Sequence, residues 1–180
     1  MDRLERITVI LGLIEKMREK GSWCGETHIQ KAVYFLQEIT DIKLSFNFIL
    51  YKHGPFSFDF RDELTSMRAD GLLVNKINPA PYGPTLVVTE LGKSFLNKFI
   101  NGIQEYLRLI EFIVGELANK DVSQLERWAT ALFVTKMKVS LCINGEAESR
   151  AKKIHELKPH LSMSDANDAV ANIDRILSLI

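Results

Sequence analysis

The chain is poor in the features that mark specialised proteins. It has two cysteines, Cys24 and Cys142, too few and too far apart to staple a small secreted fold. Both are expected as free, reduced thiols in a cytoplasmic protein. Net charge is missing as well, because 23 Lys plus Arg balance 23 Asp plus Glu. That argues against a broad basic surface for nonspecific binding to nucleic acid or membrane, though not against a local patch. No apolar run approaches the roughly 20 residues of a spanning helix. The run from Ile7 to Ile14 is short, meets Glu15 and Lys16 at once, and has no small-residue cleavage site after it. Absent too are Gly-x-Gly-x-x-Gly, the P-loop and the Gly-x-Ser-x-Gly elbow, which removes the common phosphate-cradling loops and that type of serine nucleophile.

What is present is ordinary globular composition, 46% hydrophobic and 26% charged. Leu4, Ile7, Leu11 and Ile14 fall at helical spacing, widened by Ile10 and Met17, and Gly21 ends that helix. Thr27 with Gln30 reads as a capping box opening a second helix to about Ile39, with Ile29, Val33 and Leu36 on one face. Asp41 to Ser45 turns the chain. Ser45 to Lys52 is an expected strand that stops at His53-Gly54-Pro55. Ser57 caps a third helix with Phe60, Leu64 and Met67 buried, and Asp70-Gly71 closes it. Leu72–Ile77 and Thr85–Thr89 then form a hairpin around the turn-rich tip Asn78–Pro84, and Thr89 caps the next helix. A helix followed directly by such a hairpin is the winged-helix pattern.

From Ile103 the chain reads as helices: one to Ala118, one opened by a Ser123–Glu126 capping box and running to about Leu141, one from Gly145 to Lys158, and a last one opened by Ser162 with Asp165. The fold class is therefore α+β and mostly helical. A winged-helix-like module over residues 1–101 precedes a helical region over 102–180, and the two are expected to pack as one unit. The last helix ends apolar at Ile173, Ile176, Leu177 and Ile180, so it buries either against the chain's own helices or in a homodimer.

The segment HIQKAVYFLQ, with the later FILYKHGPFSFDFRDELTSMRADGLL, resembles the small bacterial YwgA-like proteins and, more distantly, the Panacea domain of SocA-type antitoxins. Gln30-Lys31 and Tyr34-Phe35 on a helix carry the likeness, with the aromatic-x-x-Gly-Pro turn at Tyr51–Pro55 and the Gly-Leu-Leu start of a strand at Gly71. It covers roughly residues 25 to 90. It implies a regulatory or interaction role, in some relatives as an antitoxin whose partner is a toxin or defence component, and it brings no active-site residues with it.

Reading the residues themselves for chemistry leads to the same class. Cys24 with His28, and His155 with His160, are isolated pairs, so neither a metal nor another cofactor is expected. No catalytic group stands out and no enzymatic activity is expected. The third helix shows Asp59, Asp62, Glu63 and Asp70 against Arg61 and Arg68, too acidic for a helix that faces phosphates. Asp59, Asp62 and Glu63, with Lys52 and His53 at the turn, are the candidate protein-binding residues. The turn itself also has a plain geometric role, with Tyr51 and Phe56 filling the core beneath it. Arg61, Arg68, Lys76, Arg150, Lys152 and Lys153 are the candidates for nucleic acid, with Lys158 beside the last three. The expected function is a non-catalytic regulator that binds another protein. A DNA-binding transcription regulator is the alternative, and a small-molecule sensor or enzyme the least favoured.

Overall fold

The computed structural model describes residues 1–79, 83–137 and 146–180. The architecture is α+β and mostly helical, with two small antiparallel sheets. The chain divides into two compact units, one of Met1–Phe48 with Ser57–Lys120, the other of Ile49–Phe56 with Asp121–Ile180. The division thus falls after Lys120, not after residue 101, and the turn around Gly54 belongs with the C-terminal helices.

In the first unit, α1 (Arg3–Glu19) opens with a reciprocal capping box: Glu5 N–H donates to Asp2 Oδ1 at 2.8 Å, and Asp2 N–H to Glu5 Oε2 at 3.1 Å. Every residue from Ile7 to Ile14 is buried, whereas Leu4, expected on the buried stripe, is exposed. Gly21 ends the helix at φ +84°. The next helix, α2 (Glu26–Ile39), is not opened by Thr27 and Gln30, because its N-cap is Gly25. Gln30 is buried and instead brackets Ser57, donating to its carbonyl at 3.0 Å and accepting from its N–H at 3.1 Å. Ser57 Oγ in turn accepts from Phe60 N–H at 3.2 Å, so Gln30 anchors the start of α3 (Phe58–Ala69).

The strand expected over Ser45–Lys52 shrinks to β1 (Ile49–Tyr51). Ser45 sits at φ +61°, and Phe46 pairs through both backbone groups with the Gln37 side chain, at 2.9 and 3.0 Å, in place of a strand neighbour. On α3, Phe60, Leu64 and Met67 are buried as the periodicity predicts, and Gly71 turns the chain at φ +73°. The wing follows directly: β3 (Leu73–Lys76) pairs antiparallel with β4 (Thr85–Val88), Leu73 opposite Val88 and Lys76 opposite Thr85. Ala80, Pro81 and Tyr82 at its tip lie outside the described residues. Thr89 caps α4 (Glu90–Phe99), its Oγ1 accepting from Gly92 N–H at 3.0 Å. The helix expected from Ile103 begins as a 3-10 segment, Ile100–Tyr106, before α5 (Leu107–Leu117).

The second unit holds α6 (Val122–Met137), α7 (Ala147–Leu157) and α8 (Met163–Leu177). Residues 138–145, which include Cys142, Leu141 and Gly145, lie outside the described residues. The box that opens α6 is Asp121 with Gln124, at 2.7 and 3.2 Å, two residues before the expected Ser123–Glu126 pair. The Ser162–Asp165 cap of α8 is as expected, at 3.0 Å. Ala166, Ala169, Val170, Ile173 and Ile176 of α8 are buried, and the helix packs on α6 and α7. Ile173 and Ile176 are therefore buried within their own unit, whereas Leu177 is half-buried and Leu179 and Ile180 are exposed.

The unit's remaining element is a hairpin, β1 with β2 (Gly54–Phe56), in which Tyr51 lies opposite Gly54 and Ile49 opposite Phe56. Lys52 and His53 form its two-residue loop. Pro55 faces Leu50, and since antiparallel pairs alternate, a residue without N–H fits the pair that exchanges no hydrogen bonds. Gly54 has φ +82°, a region that β-branched residues resist. Gly54→Val should lower stability by about 1–3 kcal/mol in chemical denaturation. A midpoint equal to that of the parent would show that the corner stores no such constraint.

Candidate functional site

Two of the second unit's buried charges meet at the hairpin. Glu126, one turn into α6, is 8% exposed, and Lys158, the C-cap of α7, is 6% exposed. Lys158 Nζ donates to the Tyr51 carbonyl at 2.8 Å and to the Lys52 carbonyl, and lies 3.3 Å from Glu126 Oε1. The ammonium thus ties the hairpin loop to the helices through the loop's own carbonyls. His53 Nδ1 lies 3.4 Å from the other oxygen, Oε2, and His160 Nε2 lies 3.5 Å from the same Oε1 that faces Lys158. Both imidazoles are more than half exposed, at 61% and 58%. Oε1 of Glu126 has no hydrogen-bond partner among the described residues, although it faces two cationic or potentially cationic groups.

Around the loop the hairpin is apolar and open. Ile49 and Tyr51, two residues apart on one face, are 42% and 55% exposed. The Tyr51 ring rests 5.9 Å from that of Phe56, so Tyr51 covers the hairpin without entering the core expected for it.

The other sequence candidates scatter. Asp59, Asp62 and Arg61 are exposed on α3, and Arg61 lies 5.0 Å over the Phe58 ring. Glu63 does not join them: its side chain is 10% exposed and pairs with Arg3 at 3.0 Å and Arg6 at 3.3 Å. Its place on the α1-facing side of α3 removes it from the exposed acidic face. Asp62→Ala should change stability by no more than about 0.5 kcal/mol, whereas Glu63→Ala should cost about 1–2 kcal/mol, since it takes the carboxylate from the half-buried Arg6 while Arg3 keeps Asp70 at 3.2 Å. Equal melting of the two variants would contradict this difference.

The basic candidates are likewise spoken for. Arg150 is buried and meets Asp174 through two parallel hydrogen bonds at 2.7 and 2.6 Å. Lys152 pairs with Glu148 at 2.8 Å, Lys153 with Glu156 at 2.9 Å, and Lys158 with Glu126. The expected basic cluster is thus a set of neutralised pairs, with Lys158 and Glu126 both buried and Arg150 buried against an exposed Asp174. Arg68 donates to Thr65 at 2.8 Å, and Lys76 remains exposed on β3.

Cys24 is buried, and desolvation pushes its thiol up to about 11, which makes it a poor nucleophile. His28 is buried, and His155 Nδ1 lies 2.6 Å from the Leu161 carbonyl. Among the described residues no three His, Cys, Asp or Glu side chains converge to hold a metal ion, and no helix is long and apolar enough to cross a membrane.

Sequence reasoning singled out His53 and Lys52 but missed Glu126 and the anchoring role of Lys158. No protein-family model matches the chain, and no curated protein matches it.

Proposed function

We propose that this chain is a non-catalytic, antitoxin-like regulatory protein that binds another protein through the hairpin Ile49–Phe56. The observation that carries the reading is the buried Lys158 ammonium, spent on two carbonyls of an exposed, aromatic loop. Burying a lysine–glutamate pair is energetically expensive and often no better than apolar packing. Here it fixes the conformation of a surface element rather than a core. A loop ordered before binding loses less entropy on association, and exposed tyrosine is a frequent anchor of protein interfaces. The resemblance to YwgA-like and SocA-type proteins points to the same class, with a toxin or defence component as the partner. The sparse cysteines suit a cytoplasmic protein. The alternative of a DNA-binding regulator is left with exposed Lys76 on the wing, because the cluster around Arg150 is neutralised.

A photo-crosslinking residue at position 51, 76 or 152 tests the proposal in the cells that make the protein. A single protein adduct from position 51 and none from position 152 is the expected result. Adducts to DNA from position 76 or 152, with no protein adduct from 51, would establish the other reading.

A further inference from the structure

We infer that the partner binds as an extended strand added to the outer edge of β1, with the Leu50 N–H and carbonyl as the pairing groups. The inference rests on the protein-binding reading of the hairpin and specifies how the partner is held. The register sets which backbone groups face outward. Pro55 has no N–H, so Leu50 and Pro55 form the pair that exchanges no hydrogen bonds, and Ile49 and Tyr51 turn theirs toward Phe56 and Gly54. The N–H and carbonyl of Leu50 therefore point away from β2. β1 has no second strand neighbour, and neither Leu50 group has a hydrogen-bond partner among the described residues. β2 cannot serve in its place. Gly54 and Pro55 are buried, the strand packs against α6, and its outward-facing residue is a proline without a donor.

The accessible edge is also unguarded. Edge strands are commonly kept from pairing by lysine, proline or a bulge. The wing follows this rule, since its strand β3 carries exposed Asn75 and Lys76. β1 reads Ile49-Leu50-Tyr51, with no charge, and its register with β2 runs without a bulge. Its length of three residues is its safeguard, confining pairing to the two hydrogen bonds of Leu50. Ile49 and Tyr51 flank Leu50 on one face, 42% and 55% exposed, so an added strand meets a donor and an acceptor at its centre and side-chain surface on either side. Cross-strand pairs of β-branched and aromatic residues are favourable, which fits a partner segment with apolar residues at alternate positions. Because the Lys158 ammonium already holds the loop carbonyls, the edge is fixed before the strand arrives.

Photo-crosslinking residues at positions 49 and 51, introduced one at a time in the cells that make the protein, test this through peptide mapping of the adducts. Both are expected to reach one stretch of one partner, at sites two residues apart. Leu50→Pro removes the outward N–H and leaves the hairpin's own ladder its donors, so the yield of the position-51 adduct should fall about fivefold or more. Leu50→Val, which keeps the N–H, should retain it. Amide exchange of Gly54 and Phe56 checks that the hairpin persists in the proline variant; should it open there, the spacing of the mapped sites decides. In the parent, the Leu50 amide should exchange far faster than that of Tyr51. Adduct sites in separate stretches, sites three or four residues apart on a helix, or a protected Leu50 amide in the parent would each overturn the inference. Adducts to a second copy of this chain would also overturn it, assigning the edge to self-pairing. A position-51 adduct to another protein that is indifferent to Leu50→Pro would leave the protein-binding reading standing and remove this one, whereas no adduct from either position would remove both.

Discussion

Gly92→Ala is expected to destabilise the first unit by about 3 kcal/mol or more. A Cβ at position 92 would stand 2.3 Å from the Leu72 carbonyl oxygen, 2.7 Å from Val88 Cγ1 and 3.2 Å from the Leu72 carbonyl carbon. Two of those atoms are backbone and cannot swing aside as a side chain would. The Leu72 oxygen is also held in place, since it accepts from Thr89 N–H at 3.0 Å. That contact closes the wing against the first turn of α4, so relieving the clash means separating the helix from the hairpin. Alanine's better helix propensity returns only about 1 kcal/mol. Urea unfolding reads the difference directly. A Gly92→Ala protein within about 0.5 kcal/mol of the parent would mean that α4 and the wing are not in close contact.

Lys158→Met is expected to cost the second unit about 3–5 kcal/mol. Methionine preserves much of the apolar stem but removes the ammonium, which leaves Glu126 buried without it and the Tyr51 and Lys52 carbonyls without that donor. Most of the loss is the cost of an uncompensated buried charge, so Glu126→Gln introduced into the same protein should recover part of it. The pair should show a coupling of about 1–3 kcal/mol in a double-mutant cycle. Strict additivity would mean that the two side chains act independently, and a loss below about 1 kcal/mol for Lys158→Met alone would show that the pair does not hold the hairpin.

Local signals in the sequence were read well because their partners are near in the chain. The caps at Ser57, Thr89 and Ser162 each bond to an N–H three residues ahead, and the stripe of α3 depends on spacing alone. The wing was legible for the same reason, with turn-forming residues between two short apolar runs. The errors arose where a side chain had two uses. Gln30 could close a capping box with Thr27, but its buried amide completes the backbone of Ser57, 27 residues away. Glu126 has the spacing to close a box with Ser123. The real box lies two residues earlier, and this frees Glu126 to turn inward toward Lys158 and His53. Glu63 reads from the sequence as a protein-binding candidate and Arg150 and Lys158 as part of a basic cluster for nucleic acid, because a helix pattern shows which face is polar but not whether an opposite charge from a distant element covers it. Asp174 is 24 residues from Arg150, and the Tyr51 carbonyl is 107 residues from Lys158. Such pairings are fixed by tertiary packing. The site was therefore half legible: the punctuation at His53-Gly54-Pro55 marked the loop, and nothing local marked the carboxylate and the ammonium beneath it.

An exposed hairpin is held ordered here by a buried lysine. Amide hydrogen exchange of Tyr51, Gly54 and Phe56, followed in the parent and in Lys158→Met, tests it most directly. Protection of these amides comparable to that of α6 in the parent is the predicted result, with loss of protection in the variant while the α1 amides of Ile10 and Leu13 are unchanged. Hairpin amides that exchange as fast in the parent as in the variant would contradict it.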